Sequence, residues 1–182
     1  MIQRYFLGCN SCKGFFSLYD GFPPEGVYLH ILKGGPGTGK SGFMRALGAA
    51  AEERGLDVQY VLCSGDPDSL DGVYLPSLGQ AWVDGTAPHV VEPRHFGADG
   101  DYEDLGRFCR LPLPKEDAEK ARQLTADYRA AYDRAYTALA EAKALHDKLE
   151  AVYRPHMDFE SLTAYTKETI RQVFILEPYK NL

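Results

Sequence analysis

Gly34-Gly-Pro-Gly-Thr-Gly-Lys-Ser41 satisfies every fixed position of the pattern G-x-x-x-x-G-K-[ST]. Its flanks say what kind of chain carries it. Upstream, Val27-Tyr-Leu-His-Ile-Leu32 is a short apolar run bounded by glycine on both sides, the pattern of a buried strand. Downstream, residues 40–54 place Phe43, Leu47, Ala50 and Ala51 at helical spacing, and Gly55 supplies a stop. Residues 58–63 then read as a second buried strand. Strand, glycine-rich turn, helix, strand is a βαβ unit, which predicts an α/β fold with a parallel sheet, flanking helices and a right-handed crossover.

The loop's residue types each have a physical task. Glycines let the backbone wrap closely and turn successive N–H groups inward, and Pro36 stiffens the bend. A helix opening at Lys40 points its positive dipole end at the same place. Together these predict an anion site for a nucleoside triphosphate, built from Gly34, Gly35, Pro36, Gly37, Thr38, Gly39, Lys40, Ser41 and Gly42. Lys40 is expected to reach the β- and γ-phosphates, and the Ser41 hydroxyl to coordinate Mg²⁺. Gly42 offers its N–H but no second hydroxyl. No Asn/Thr-Lys-x-Asp motif for reading guanine occurs, which favours ATP.

A Mg²⁺ in such a loop takes a second carboxylate from the end of a neighbouring strand. Gln80-Ala-Trp-Val-Asp84 is an apolar run ending in Asp, so Asp84 is the first choice and, with Lys40, the candidate catalytic pair. Asp66, after the strand at 58–63, is the alternative. Asp84-Gly85 and Gly65-Asp66-Pro67 are also ordinary turn signatures. Gly85 follows Asp84 where many mechanical ATPases place Glu, so fast hydrolysis has no evident general base. His89 titrates in the right range to serve, although an ordinary loop histidine is the commoner case. His30 is expected to be packed within its strand. Arg94, Arg107 and Arg110 are candidates for charge stabilisation, with surface arginine as the plain alternative.

Outside this region the chain changes character twice. The first 25 residues are aromatic and glycine-rich, read as a short element and a loop closed by Pro23-Pro24. Residues 64–104 are rich in Gly, Pro and Asp, with short strand candidates at Val73-Tyr-Leu75 and Gln80-Ala-Trp-Val83. Residues 115–153 contain neither Gly nor Pro. There Leu124, Tyr128, Ala131, Ala135, Ala138, Ala142, Leu145, Leu149 and Val152 form a heptad seam, as in a coiled coil. Such a helix would run for roughly 55 Å. Its seam needs a partner: residues 159–172 folding back after Pro155, or another chain. Arg171-Gln-Val-Phe-Ile-Leu176 reads as a strand returning to the sheet. The expected organisation is a nucleotide-binding core at 1–114, a long helical hairpin or lid insertion at 115–170, and a return strand at 171–182.

The chain has 182 residues, 45% hydrophobic and 25% charged, enough for one compact core. A formal net charge of −6 gives no general attraction to nucleic acid or anionic membrane, which argues against a nucleic-acid motor. No stretch approaches the roughly 18 apolar residues of a membrane span. The N-terminus lacks the apolar segment of a signal peptide, so a cytoplasmic location is expected. Cys9-Asn-Ser-Cys12 has ligand spacing without a second close pair, which reads as reduced thiols near a flexible terminus.

Four motifs in order, Phe15-Phe-Ser-Leu-Tyr-Asp20, the loop 34–41, Cys63-Ser-Gly-Asp-Pro-Asp-Ser-Leu-Asp-Gly72 and Val83-Asp-Gly-Thr-Ala-Pro-His89, carry a resemblance. Over most of residues 5–105 the chain resembles a poorly characterised group of bacterial P-loop ATPases, sometimes labelled nucleotide-kinase-like. The resemblance implies a P-loop NTPase-type sheet and ATP binding, and brings no established substrate. Members of that group carry a second P-loop half, and this chain resembles the first. The expected function is a Mg-ATP-dependent ATPase or phosphotransferase of unknown acceptor. The alternative is a nucleotide-gated interaction protein, whose Ala-rich helix docks a second copy or a second P-loop half.

Overall fold

The computed structural model describes residues 1–87 and 90–176 and has an α/β architecture. Its strands are β1 (Ile2–Phe6), β2 (Gly8–Ser11), β3 (Gly14–Ser17), β4 (Tyr28–Lys33), β5 (Val58–Leu62), β6 (Leu70–Leu75), β7 (Gln80–Asp84) and β8 (Gly100–Asp104). The helices are α1 (Lys40–Glu52), α2 (Lys115–Tyr153) and α3 (Phe159–Leu176). Six strands form one sheet in the order β1-β5-β6-β7-β4-β8, and β2 and β3 make a separate hairpin. Two units divide the chain, Met1–Ala140 and Glu141–Leu182, with the boundary inside α2.

The sheet is mixed, which corrects the expectation of a parallel one. β1 pairs parallel with β5, and β4 pairs parallel with both β7 and β8, but β6 runs antiparallel to β5 and β7. The reason lies in the connections. Parallel neighbours need a crossover of about a dozen residues or more, whereas β6 and β7 are joined by a single 3₁₀ turn, Pro76–Leu78, and Gly79. The two strands bracketing α1 run in the same direction, as expected, but β6 and β7 lie between them.

Alternation along the strands divides the core between the two faces. Leu32, Val58, Tyr60 and Val73 point to one face, where Met44 and Ala51 of α1 cover them. Leu29, Ile31, Val61, Ala81 and Val83 point to the other, closed by Tyr19 of the 3₁₀ turn Tyr19–Gly21 and by Val27 and Val91 from irregular chain rather than by an α-helix. Gly48 lets α1 settle on the sheet: a Cβ there would lie 2.3 Å from the Tyr60 ring. The Tyr60 hydroxyl donates to Glu52 Oε1 at 2.6 Å.

Three further differences from the sequence reading have local causes. The N-terminus is not loose chain: β1 is an edge strand, its N-terminal ammonium paired with Asp57. β8 arises inside the acidic segment, where Asp101, Glu103 and their neighbours occupy the other sheet edge and stay partly solvated. Residues 171–176 are the last turns of α3 and not a return strand. The apolar positions 159, 162, 170, 173 and 174 keep helical spacing through the β-branched run, and that continuity prevails over local strand propensity. Residues 177–182 lie outside the described residues.

α2 spans the predicted residues without a break. Its seam is exposed: Leu145, Leu149 and Val152 are 65%, 54% and 62% accessible, so α3 does not bury them. Every described residue from Glu141 to Phe174 is likewise exposed. Among the described residues, no helix is long and apolar enough to cross a membrane.

Candidate functional site: the loop at the carboxyl end of the sheet

Parallel pairing fixes the site's position. Register sets Leu32 of β4 opposite Asp84 on β7 and Glu103 on β8. Residues 34–39 therefore leave β4 between the carboxyl ends of two parallel neighbours, the edge at which open α/β sheets hold ligands. The loop's turn depends on left-handed backbone at Gly37 (φ +77°) and Gly39 (φ +90°). Gly39 is the residue that caps α1. Gly34 is needed for space as well: a Cβ there would lie 2.6 Å from Thr38 Oγ1 and 3.4 Å from the Gly106 nitrogen. Thr38 closes the bend by donating from both N and Oγ1 to the Gly35 carbonyl, at 3.3 and 2.9 Å. The first helical bond of α1 runs from Phe43 N to Gly39 O. The N–H groups of Lys40, Ser41 and Gly42 precede it and form the helix's open positive end.

Lys40 is buried, only 8% exposed. Its Nζ donates to the carbonyls of Gly34 (2.8 Å) and Gly35 (3.1 Å) and lies 3.6 Å from Asp84 Oδ2. Asp84 is itself aimed: its Oδ1 accepts from Thr86 N at 2.9 Å and from Thr86 Oγ1 at 2.5 Å. Lys33 steadies the same turn, donating to the Gly85 carbonyl at 3.0 Å. Gly85 has no room for a side chain, since a Cβ would meet Ile31 at 2.2 Å. Ser41 Oγ accepts from Leu70 N at 2.9 Å, which leaves its proton and a second lone pair. The oxygen donors here are a hydroxyl and an oriented carboxylate. They fit a hard cation such as Mg²⁺, which takes few protein ligands and fills its shell with phosphate oxygens and water.

No family model, curated protein or solved structure matches this chain.

The other sequence candidates fall elsewhere. Asp66 is a turn residue whose Oδ1 accepts from Asp68 N at 3.2 Å. Arg94 faces Glu25 at 3.7 Å on a separate surface. Arg107 belongs to the 3₁₀ turn Leu105–Phe108, whose Gly106 packs against Gly34, so its turn does border the loop. Arg110 is exposed, and His89 lies outside the described residues. His30 is packed as expected, stacked on Trp82 with ring centroids 4.7 Å apart, its Nδ1 2.8 Å from Asp101. Cys9 stands in the β2–β3 hairpin, and Cys9, Cys12, Cys63 and Cys109 are all free thiols.

Sequence reasoning missed Thr86 and Lys33, whose roles exist only once the 84–86 turn is formed. It also missed a cleft of about 440 Å³ between α2 and the chain that follows β5. Tyr128, Tyr132 and Tyr136 line it, four residues apart on one helix face, opposite Ser64 and Gly65. That spacing is visible in the sequence, but only Tyr128 was read from it, as part of the seam.

Proposed function

We propose that this chain is a P-loop NTPase that binds Mg-ATP at Gly34–Ser41 and acts as an ATPase or phosphotransferase in the cytoplasm. The observation that carries the reading is the buried Lys40 ammonium, held between two loop carbonyls and Asp84 at a parallel strand's carboxyl end. A buried ammonium beside inward amides is suited to a polyphosphate, whose charge it meets with little competition from water. The resemblance to nucleotide-kinase-like P-loop ATPases points the same way. Bound Mg²⁺ would neutralise phosphate charge, with Ser41 and Asp84 as the residues to hold it. Lys40 would hold the terminal phosphate in place, and catalysis would rest on positioning and charge stabilisation.

Calorimetric titration with Mg-ATP tests this. Saturable binding is expected. Lys40→Ala should weaken it about 10- to 100-fold, the range for a hydrogen bond to a charged group, with the far-UV spectrum unchanged. A well-folded protein that gives no heat with Mg-ATP or Mg-GTP would refute the reading.

The exposed seam of α2 favours a second reading, in which nucleotide occupancy governs docking of a second copy or a second P-loop half. Light scattering on the eluting protein, with and without Mg-ATP, separates the two. An ATP-dependent change in mass supports the docking role, and a monomer under both conditions removes it.

A further inference from the structure

We propose that the tyrosine-lined cleft binds an uncharged planar heterocycle of the nucleoside class, and that this ligand is the phosphoryl acceptor. The acceptor role rests on the reading of Gly34–Ser41 as a triphosphate site. The binding claim does not.

The cleft opens at the same edge of the sheet as the loop. One wall follows β5, at Cys63–Asp66, and Ala87 lines it three residues beyond Asp84. The opposite wall is aromatic. Tyr128 and Tyr132 have ring centroids 4.8 Å apart at 54°, and Tyr132 and Tyr136 lie 5.8 Å apart at 51°. Tilted in this way the rings do not cover one another's faces, so π-surface is left for a flat ligand.

Tyr136 holds the wall in place. Its hydroxyl donates to Asn10 Oδ1 at 2.9 Å, and Asn10 Nδ2 donates to the Ser64 carbonyl at 3.1 Å, which ties α2 to the opposite wall. Tyr128 and Tyr132 are not needed for that tie. Tyr128 is 59% exposed at the mouth of the cleft.

Gly65 sets the width. A Cβ there would lie 2.7 Å from Tyr132 Oη, so any side chain at this position takes space from the cleft. The volume suits a ligand of nucleoside size. The Tyr128 phenol and the Cys63 thiol on the walls stay uncharged near pH 7. The hydrogen bond with Tyr132, then burial, pushes the Tyr128 phenol up to about 12, and burial raises the Cys63 thiol. Asp66 and Asp133 outweigh Arg129 among the lining charges, which disfavours a ligand already bearing phosphate. In the transfer, a ligand hydroxyl oxygen bonds to the γ-phosphorus and the bond from that phosphorus to the ADP oxygen breaks. ADP departs with the electron pair, and the hydroxyl proton passes to water.

The test is calorimetry on the full chain without ATP. The probes are adenosine, guanosine, cytidine and uridine, with ribose and the 5′-monophosphates as controls. At least one nucleoside should bind saturably, its monophosphate at least 10-fold more weakly, and ribose not at all. Gly65→Val should weaken the nucleoside at least 10-fold. The Gly65 backbone is outside the left-handed region, so the fold should tolerate valine, and unchanged Mg-ATP affinity would show that it does. Tyr132→Ala should have the same effect by removing the stacking face, whereas Lys40→Ala should leave nucleoside binding within 2-fold. If no nucleoside binds, or if Gly65→Val leaves binding intact, the proposal fails. Mg-ATP binding without nucleoside binding overturns the cleft and spares the loop. The reverse overturns the loop and leaves the cleft's ligand standing.

Discussion

Asp84 and Asp66 were the two carboxylates between which sequence position alone had to choose, and their surroundings now differ in kind. Asp84 is 15% exposed in its side chain, held by Thr86 and facing a buried ammonium. Asp66 is exposed and closes its own turn. Asp84→Asn keeps the shape and the acceptor oxygen for Thr86 but removes the charge. It should therefore cost the Mg²⁺-dependent part of ATP affinity, about 10-fold or more, and leave metal-free binding nearly unchanged. Asp66→Asn should alter neither. Titrating ATP with and without Mg²⁺ against both variants checks this, and the opposite ranking would move the metal to Asp66. The loop residues were legible in the sequence because their roles are set by residue type and spacing within eight positions. Thr86 was not, because a threonine two residues after an Asp acquires meaning only when the turn brings its hydroxyl onto the carboxylate.

The elements that could be read were those with a clear apolar run or period. β4, α1, β5, β7, α2 and the end of β6 each announce themselves through apolar spacing, and the structure keeps them. What could not be read depends on pairing: β1 and β8 are edge strands with mixed composition, and the reversal of β6 follows from connection length rather than from anything within the strand. Helix α1 is locked to the sheet at one such tertiary contact. Tyr60 is 5% exposed, packed under Gly48, with its hydroxyl on Glu52 and Arg4 over its ring at 5.1 Å. Burial, followed by the bond to Glu52, raises its phenol from 10.0 to about 12. The native state thus favours the neutral phenol more than the unfolded chain does. That stabilisation is complete below pH 10 and is lost as the pH rises from 10 through 12. Urea midpoints measured from pH 9 to 12 should fall along this limb, and Tyr60→Phe, which cannot ionise, should flatten it. An equally steep fall in the variant would assign the alkaline transition to other groups.

Stability is divided unevenly along the whole chain. The unit Met1–Ala140 contains both core clusters and the sheet. The unit Glu141–Leu182 has no buried residue among its described positions up to Phe174, although Leu145, Leu149, Leu162, Ile170 and Val173 give it ample apolar surface. Apolar surface that stays in water contributes nothing to folding, so helix propensity and short-range pairs such as Lys143 with Asp147 are left to hold the second unit. Heating should therefore reveal a broad, early loss of helical signal and a later cooperative transition of the sheet unit. A nucleotide seated on the loop would bind residues of the first unit. At about 100 times its dissociation constant it should add about 2.7 kcal/mol to that unit, which raises the later midpoint by roughly 5–10 °C. The early phase should not move. Calorimetric scans with and without Mg-ATP, followed in parallel by far-UV circular dichroism, provide both readouts. A single transition that shifts as a whole would mean that the helical unit is stabilised cooperatively with the sheet. An unmoved later transition would remove the thermodynamic support for nucleotide binding at Gly34–Ser41.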